Sequence, residues 1–293
     1  MTKAKCGFLL ALCITVVGLL ALGSVAQADV IYGNNASFGP DVVYQIDTTT
    51  GAILANYNVS PGNGRGVVVV GNTMYTTNAN SNNVYAFDLL TNTSLGVAFT
   101  VSGASALSTM AYDGTNFWIG DYSGTNRAFL YTPTGTLLST ITLANCGGSC
   151  DGLEFIAAGG GELVSNRGDG VGPYDLYSTT GALITADFLD PSSACGSGGA
   201  STGIAFDGTN FWVSCILENK LGEYSAGGVF IGTLTIGPGG TSSLGTLIED
   251  LSANYALTLP PSGVPEPGSL SLLALGLTGV GVLRRKKLAA LPA

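Results

Sequence analysis

One seven-residue string, returning almost unchanged, limits what this chain can fold into more than any other feature: YDGTNFW at 112–118 reappears as FDGTNFW at 206–212. Kindred segments lie between and ahead of the two copies, VVVVGNTMYTTN at 67–78 and LEFIAAGGGELVSN at 153–166. Their turn glycines, Gly71, Gly114, Gly160 and Gly208, stand 43, 46 and 48 residues apart, so the chain is built from repeats. A second marker keeps nearly the same period. IDTTTGAIL at 46–54, YTPTGTLL at 131–138, YSTTGALI at 177–184 and YSAGGVFI at 224–231 each set a glycine-containing turn between apolar stretches. FDLLTNTSLG at 87–96 fills the missing place, with Asn92 near the turn.

Each repeat reads as four short strands: an inner apolar strand, a hairpin partner carrying aromatics, a third ending in the threonine-rich turn, and a fourth after it. Four strands in about 40–50 residues make a propeller blade. Complete units cover about 65–106, 107–150, 151–196 and 197–237. DVVYQID and AILANYNV provide the last two strands of an opening blade, and LGTLIEDLSANYALTLP at 244–260 its first two. Joining the ends closes a ring of five and leaves no long unprotected edge. The expected fold is all-β, a five-bladed β-propeller-like repeat domain flanked by an N-terminal signal helix and a C-terminal hydrophobic helix. A sandwich or open solenoid of the same hairpins is the alternative. A helical body is set aside, because Gly, Thr and Asn interrupt nearly every window before an apolar helical face can form.

The termini read as separate segments. Lys3 and Lys5, the apolar run from Phe8 to Leu22 and Ala26-Gln27-Ala28 before Asp29 make residues 1–28 a secretory signal peptide. The repeat domain occupies 29–260, a proline-rich linker 261–267, a transmembrane segment 268–283 and a basic cytoplasmic tail 284–293. Between residues 29 and 263, 18 acidic residues face four basic ones, Arg65, Arg127, Arg167 and Lys220, a balance of −14. Such a surface repels nucleic acid and anionic membranes. Four cysteines remain after signal removal, Cys146, Cys150, Cys195 and Cys215. An even number in an exported chain indicates two disulfides, with three pairings open and the local one, Cys146 with Cys150 and Cys195 with Cys215, the simplest. A zinc site lacks a second matching cysteine pair and any histidine.

The absence of histidine removes a Ser/His/Asp relay and histidine-ligated metals. No cofactor is expected and the chain is read as not an enzyme. A carbohydrate-processing hydrolase remains an alternative, using carboxylates such as Glu154, Glu162 or Asp169. A calcium-dependent binding module is another, with Asp121, Asp169 and Asp175 in the polar loops GDYSGTNR and SNRGDGVGPYD as weak ligand candidates. Asp113-Gly114 and Asp207-Gly208 are two-residue turns in which Asp accepts backbone amides. Trp118 and Trp212 pack between blades. Gly62, Gly64 and Gly66 form a loop entering a blade, since no helix follows them.

The tail carries the most specific pattern. Val264-Pro265-Glu266-Pro267 precedes 16 uncharged residues, Gly268 to Leu283, and then Arg284-Arg285-Lys286-Lys287. This combination resembles the PEP-CTERM sorting signal of Gram-negative bacteria. The resemblance implies that Val264, Pro265, Glu266 and Pro267 are the sorting motif, that Gly268 to Leu283 is a temporary anchor, and that Arg284, Arg285, Lys286 and Lys287 are a retention signal. It implies export by the Sec translocon, transient inner-membrane anchoring, processing by an exosortase-type membrane peptidase, and delivery to the cell surface or exterior. Members of that family occur with exopolysaccharide and biofilm systems, so extracellular polysaccharide is a candidate partner and a structural or adhesive matrix role the expected function. The terminal LAALPA runs past the family's usual stop.

Overall fold

Five antiparallel sheets of four strands stand round a ring in the computed structural model, which describes residues 30–36, 41–60, 62–168, 172–196, 200–238 and 247–258. Blade 1 has the order β20 (Ile248–Ser252), β1 (Val30–Asn35), β2 (Asp41–Asp47), β3 (Ile53–Ser60). Blade 2 holds β4 (Gly64–Val70), β5 (Thr73–Asn78), β6 (Asn83–Asp88) and β7 (Thr93–Thr100). Blade 3 holds β8 (Leu107–Tyr112), β9 (Phe117–Asp121), β10 (Arg127–Tyr131) and β11 (Leu137–Thr142). Blade 4 holds β12 (Leu153–Ile156), β13 (Glu162–Asn166), β14 (Tyr174–Ser178) and β15 (Leu183–Leu189). Blade 5 holds β16 (Ser201–Phe206), β17 (Asn210–Cys215), β18 (Lys220–Ser225) and β19 (Phe230–Thr235).

The two chain ends do share a blade, but in different proportions from those expected. Three of its strands come from the N-terminal side and a single strand from the C-terminal side. β1 escapes a reading of the sequence because VIYGNN follows directly on the expected cleavage site with no turn marker ahead of it. The end of the body forms one described strand, and just beyond it Asn254 exchanges hydrogen bonds with Gly71, its side-chain oxygen taking the Gly71 N–H and its amide donating to the Gly71 carbonyl, each at 2.9 Å. A single helical turn, Tyr255–Thr258, follows. Every described strand therefore lies ahead of residue 259, within one compact unit ending at Thr258.

The repeated turns have a common mechanism. Gly51, Asn92, Gly135, Gly181 and Gly228 all adopt positive φ, between 54° and 86°, at the turn joining third and fourth strands. Asparagine is the non-glycine residue that best tolerates that region, which is why it can stand in at blade 2. Glycine has a second reason elsewhere: a Cβ at Gly51, Gly181 or Gly228 would collide with a backbone carbonyl of the preceding blade, at Thr235, Thr142 and Phe188 respectively. Ahead of the turn, the Asp47 and Asp88 carboxylates each accept two backbone amides at 2.8–3.1 Å. Asp113 and Asp207 do the same at 2.7–2.9 Å, in loops of four and three residues rather than two-residue turns, because the side chain takes the amides that a tight turn would leave to the backbone.

Between the blades lie separate apolar seams. Trp118 packs with Ala111, Leu153, Leu163 and Tyr177 where blade 3 meets blade 4, and Trp212 with Ile31, Ile46 and Leu251 where blade 5 meets blade 1. Disulfides join Cys146 to Cys150 and Cys195 to Cys215. The second ties the one-turn helix Ser192–Cys195 to the end of β17, closing a loop of 20 residues worth on the order of 3 kcal/mol in chain entropy.

The expected transmembrane helix is corrected. Among the described residues no helix is long and apolar enough to cross a membrane. The segment assigned to that role, 268–283, lies outside the described residues, as does the signal segment 1–28. At about 1.5 Å per residue, 16 helical residues reach about 24 Å, short of the roughly 30 Å of a hydrocarbon core.

Candidate functional site

Because strands alternate in direction, the first strands of blades 2–5 begin, the second strands end and the third strands begin at one face of the ring, here the upper face. All four basic residues of the body stand there: Arg65 in β4, Arg127 opening β10, Arg167 just beyond β13 and Lys220 opening β18. Each is matched to a carboxylate. Arg65 pairs with Glu249, Arg127 with Asp121 at 2.6 Å, Arg167 with Asp175 at 2.9 Å and with Asp187, and Lys220 with Glu218. The Arg65 guanidinium also lies 4.5 Å above the Tyr122 ring. Its Nε and the second carboxylate oxygen of Glu249 are buried without a hydrogen-bond partner.

Below this face the ring centre is closed by side chains of the inner strands. An inner strand is an edge, and its outward amides need acceptors. The neighbouring blade supplies them. Asp250 Oδ2 accepts from Val67 N at 3.1 Å, Ser252 from Val69 N at 3.0 Å and Asn254 from Gly71 N at 2.9 Å, joining β20 to β4. Thr109 accepts from Leu153 N at 3.0 Å, and Glu154 from Phe206 N at 3.0 Å. Asp250 reaches further, to Met110 N at 3.2 Å and the Thr109 hydroxyl at 3.0 Å, so one carboxylate binds blades 1, 2 and 3 together. Gly203 leaves it room, since a Cβ there would lie 2.5 Å from Asp250 Cα. Lower down, the Tyr255 hydroxyl donates to Glu154 at 2.6 Å. Asp250 and Glu154 are both 0% exposed.

These acids fall into two electrostatic classes. Burial pushes the Glu154 carboxyl up to about 8, against three hydrogen-bond donors. Burial also raises Asp250 and raises Glu249 in spite of Arg65. By contrast Asp47 and Asp88 are lowered by the amides of their turns, and Asp121 and Asp175 are lowered because Ser123, Thr125, Asn145 and the two arginines outweigh burial. The raised group binds more protons folded than unfolded, so its contribution is complete below about 4.5 and lost as pH rises through about 8. The lowered group stabilises above its ordinary 3.8 and fails as pH falls through the depressed values. Stability is expected to peak in mildly acidic solution, between these limits, and Glu154→Gln should flatten the fall on the alkaline side. Melting temperatures from pH 3 to pH 9 check this; an unchanged alkaline slope in the variant would remove Glu154 as its cause.

The sequence-derived candidates are placed as follows. Asp121 and Asp175 are each held by an arginine of their own blade and are not brought together, and among the described residues no three acidic, cysteine or histidine side chains converge as a metal site needs. Glu162 opens β13 at the opposite face from Arg167, while Glu154 is sealed in the ring. Asp169 and residues 264–267 and 284–287 lie outside the described residues. Glu249 and Asp250 escape notice in the sequence because charged residues in a short strand read as solvent-facing; only ring closure turns them inward.

Comparison with known proteins adds two findings. The sequence model of the PEP-CTERM protein-sorting motif matches residues 263–287, so the chain carries the signal of an exosortase substrate. A chain in the crystal structure of a nidogen/laminin complex is similar in fold, at 12% identity and a TM-score of 0.50, covering 76% of this chain and 97% of that one. With 1115 solved chains sharing such likeness, it identifies a fold and no activity. No curated protein matches the sequence.

Proposed function

We propose that this exosortase substrate is a non-enzymatic component of an extracellular polysaccharide matrix, exported through the Sec translocon, released near Pro265-Glu266-Pro267 and retained outside the cell by weak contacts with neutral glycan. The observation that carries the proposal is the sorting motif at 263–287, which commits the body to work beyond the cytoplasm. Three features support the rest. Among the described residues the ring centre offers no accessible carboxylate pair for glycoside hydrolysis, as Glu154 and Asp250 are fully buried. The upper face presents the partly exposed Tyr122 ring beside a set of arginine–carboxylate pairs, aromatic and polar groups of the kind that hydroxyl-bearing rings contact. Finally, the excess of acid repels anionic polymers and leaves neutral ones.

The test is made in a host with an exosortase system. The wild-type chain should lose the residues after the motif, as read by mass of the C-terminal peptide, and appear in the matrix fraction. A Pro265/Glu266/Pro267 triple-alanine variant should stay full length and cell-associated, with at least about a tenfold drop in matrix protein. A wild-type chain that keeps its C-terminus sinks the sorting reading; one that is cut but washes freely from the matrix sinks the glycan reading.

A further inference from the structure

Ring closure covers the inner edges of the sheets and leaves the outer ones open. β3, β7, β11, β15 and β19 each stand last in their sheets, with a strand on one side only. Each also carries a bulge against its third-strand neighbour, at the same place in every blade. Ile46 and Gln45 face Ile53 and Ala55; Phe87 and Ala86 face Ser94 and Gly96; Tyr131 and Leu130 face Leu137 and Ser139. Tyr177 and Leu176 face Leu183 and Thr185; Tyr224 and Glu223 face Phe230 and Gly232. The residues passed over are Leu54, Leu95, Leu138, Ile184 and Ile231. All five are aliphatic and all are 49–59% exposed.

Turn geometry accounts for a bulge but not for its residue. An extra residue three places after a positive-φ turn residue needs no particular side chain, and a solvated position would ordinarily take Thr, Ser or Lys. Natural sheets guard long edges with Lys, Pro, inward charges or bulges, and of these devices the rim carries the bulge. Here the five outer strands contain no Lys, Arg or Pro, and their single charged residue, Asp187, is paired with Arg167. In a body balanced at −14, the outer strands carry one charged residue among their 35.

We propose that the rim is a self-association surface: the outer strand of a blade pairs antiparallel with the outer strand of a second copy, and the bulge aliphatics of both copies cover the join. Three arguments select a second copy as occupant. Free strand edges call for another strand, because only extended backbone offers donors and acceptors at the matching spacing. The partner edge must itself be uncharged, as nothing on this one can neutralise an ion. The chain displays such an edge five times, and an antiparallel pairing of like edges is self-complementary about a two-fold axis. A single join is small and weak, whereas five per copy allow many to act together. Five-fold units cannot tile a plane, so growth produces irregular branched networks rather than ordered layers.

The experiment is sedimentation velocity on the chain ended at residue 260, which retains every described strand and both disulfides. Wild type should pass from monomer to species of at least about twice that mass between about 1 and 200 μM, a range suited to small interfaces. The fivefold variant Leu54→Lys, Leu95→Lys, Leu138→Lys, Ile184→Lys, Ile231→Lys should remain monomeric throughout, with an unchanged near-ultraviolet spectrum because all five positions are exposed. A second variant with threonine at the same positions keeps β-propensity without charge and should weaken association at least about tenfold. Leu138→Lys alone should weaken it less, since four edges survive. Wild type that stays monomeric at 200 μM overturns the proposal, as does association undiminished in both fivefold variants.

Discussion

Ending the chain at residue 246 is expected to abolish cooperative unfolding, whereas ending it at residue 260 should move the melting temperature by no more than about 2 °C. The shorter chain lacks β20, and with it buried Ile248, Leu251 and Tyr255. Burying an aliphatic or aromatic side chain contributes about 1.5–3 kcal/mol, so these three alone approach the roughly 5–15 kcal/mol by which a domain is stable. Losing the strand also strips acceptors from the amides of Val67, Val69 and Gly71 and leaves β1 as a new edge. Thermal melts followed in the far and near ultraviolet give the answer. A cooperative transition within about 5 °C of the longer chain would show that four blades hold without the fifth being closed.

Asp250→Ala should destabilise the body by about 3–5 kcal/mol, while Asp250→Asn should cost less than about 1 kcal/mol near pH 6. Alanine orphans Val67 N, Met110 N and the Thr109 hydroxyl in a site closed to water. Asparagine keeps one carbonyl oxygen for those donors and carries no charge to desolvate. Since burial holds the Asp250 carboxyl well above its ordinary range, asparagine should overtake aspartate as pH rises. Denaturant midpoints at pH 6 and pH 9 separate the cases. If asparagine is as damaging as alanine at both, the negative charge itself binds the three blades.

Much of this architecture can be read from residues. Asp-Gly and Thr-Gly markers reveal the blades because their physics is local: a carboxylate accepting two amides and a left-handed turn leave the same trace wherever they occur. Asn92 can be placed by period and confirmed by φ. The aromatics Trp118 and Trp212 announce inter-blade packing for a similar reason, as their repeat position fixes their side. The features that escape the sequence depend on distant chain. Asp121 and Asp175 look like free ligands since a loop sequence does not reveal that the hairpin folds Arg127 and Arg167 back onto them. The division of blade 1 into three strands and one hinges on β1 meeting β20 from the far end of the chain, and the inward turn of Glu154, Glu249 and Asp250 on closure of the ring. The sorting motif is legible in full because an address is read from linear sequence rather than from packing.

Shared ownership of blade 1 also sets a schedule. Tyr32 and Ser252 are register partners across nearly the whole body, a separation that makes their meeting late and slow relative to the hairpins. Blades 2 to 5 can assemble as the polypeptide emerges, but the circle waits for β20. The sorting motif begins only eleven residues beyond Ser252. Delivery of the signal therefore nearly coincides with delivery of the last structural piece, so a molecule that can present its address is also one that has received everything required to finish folding.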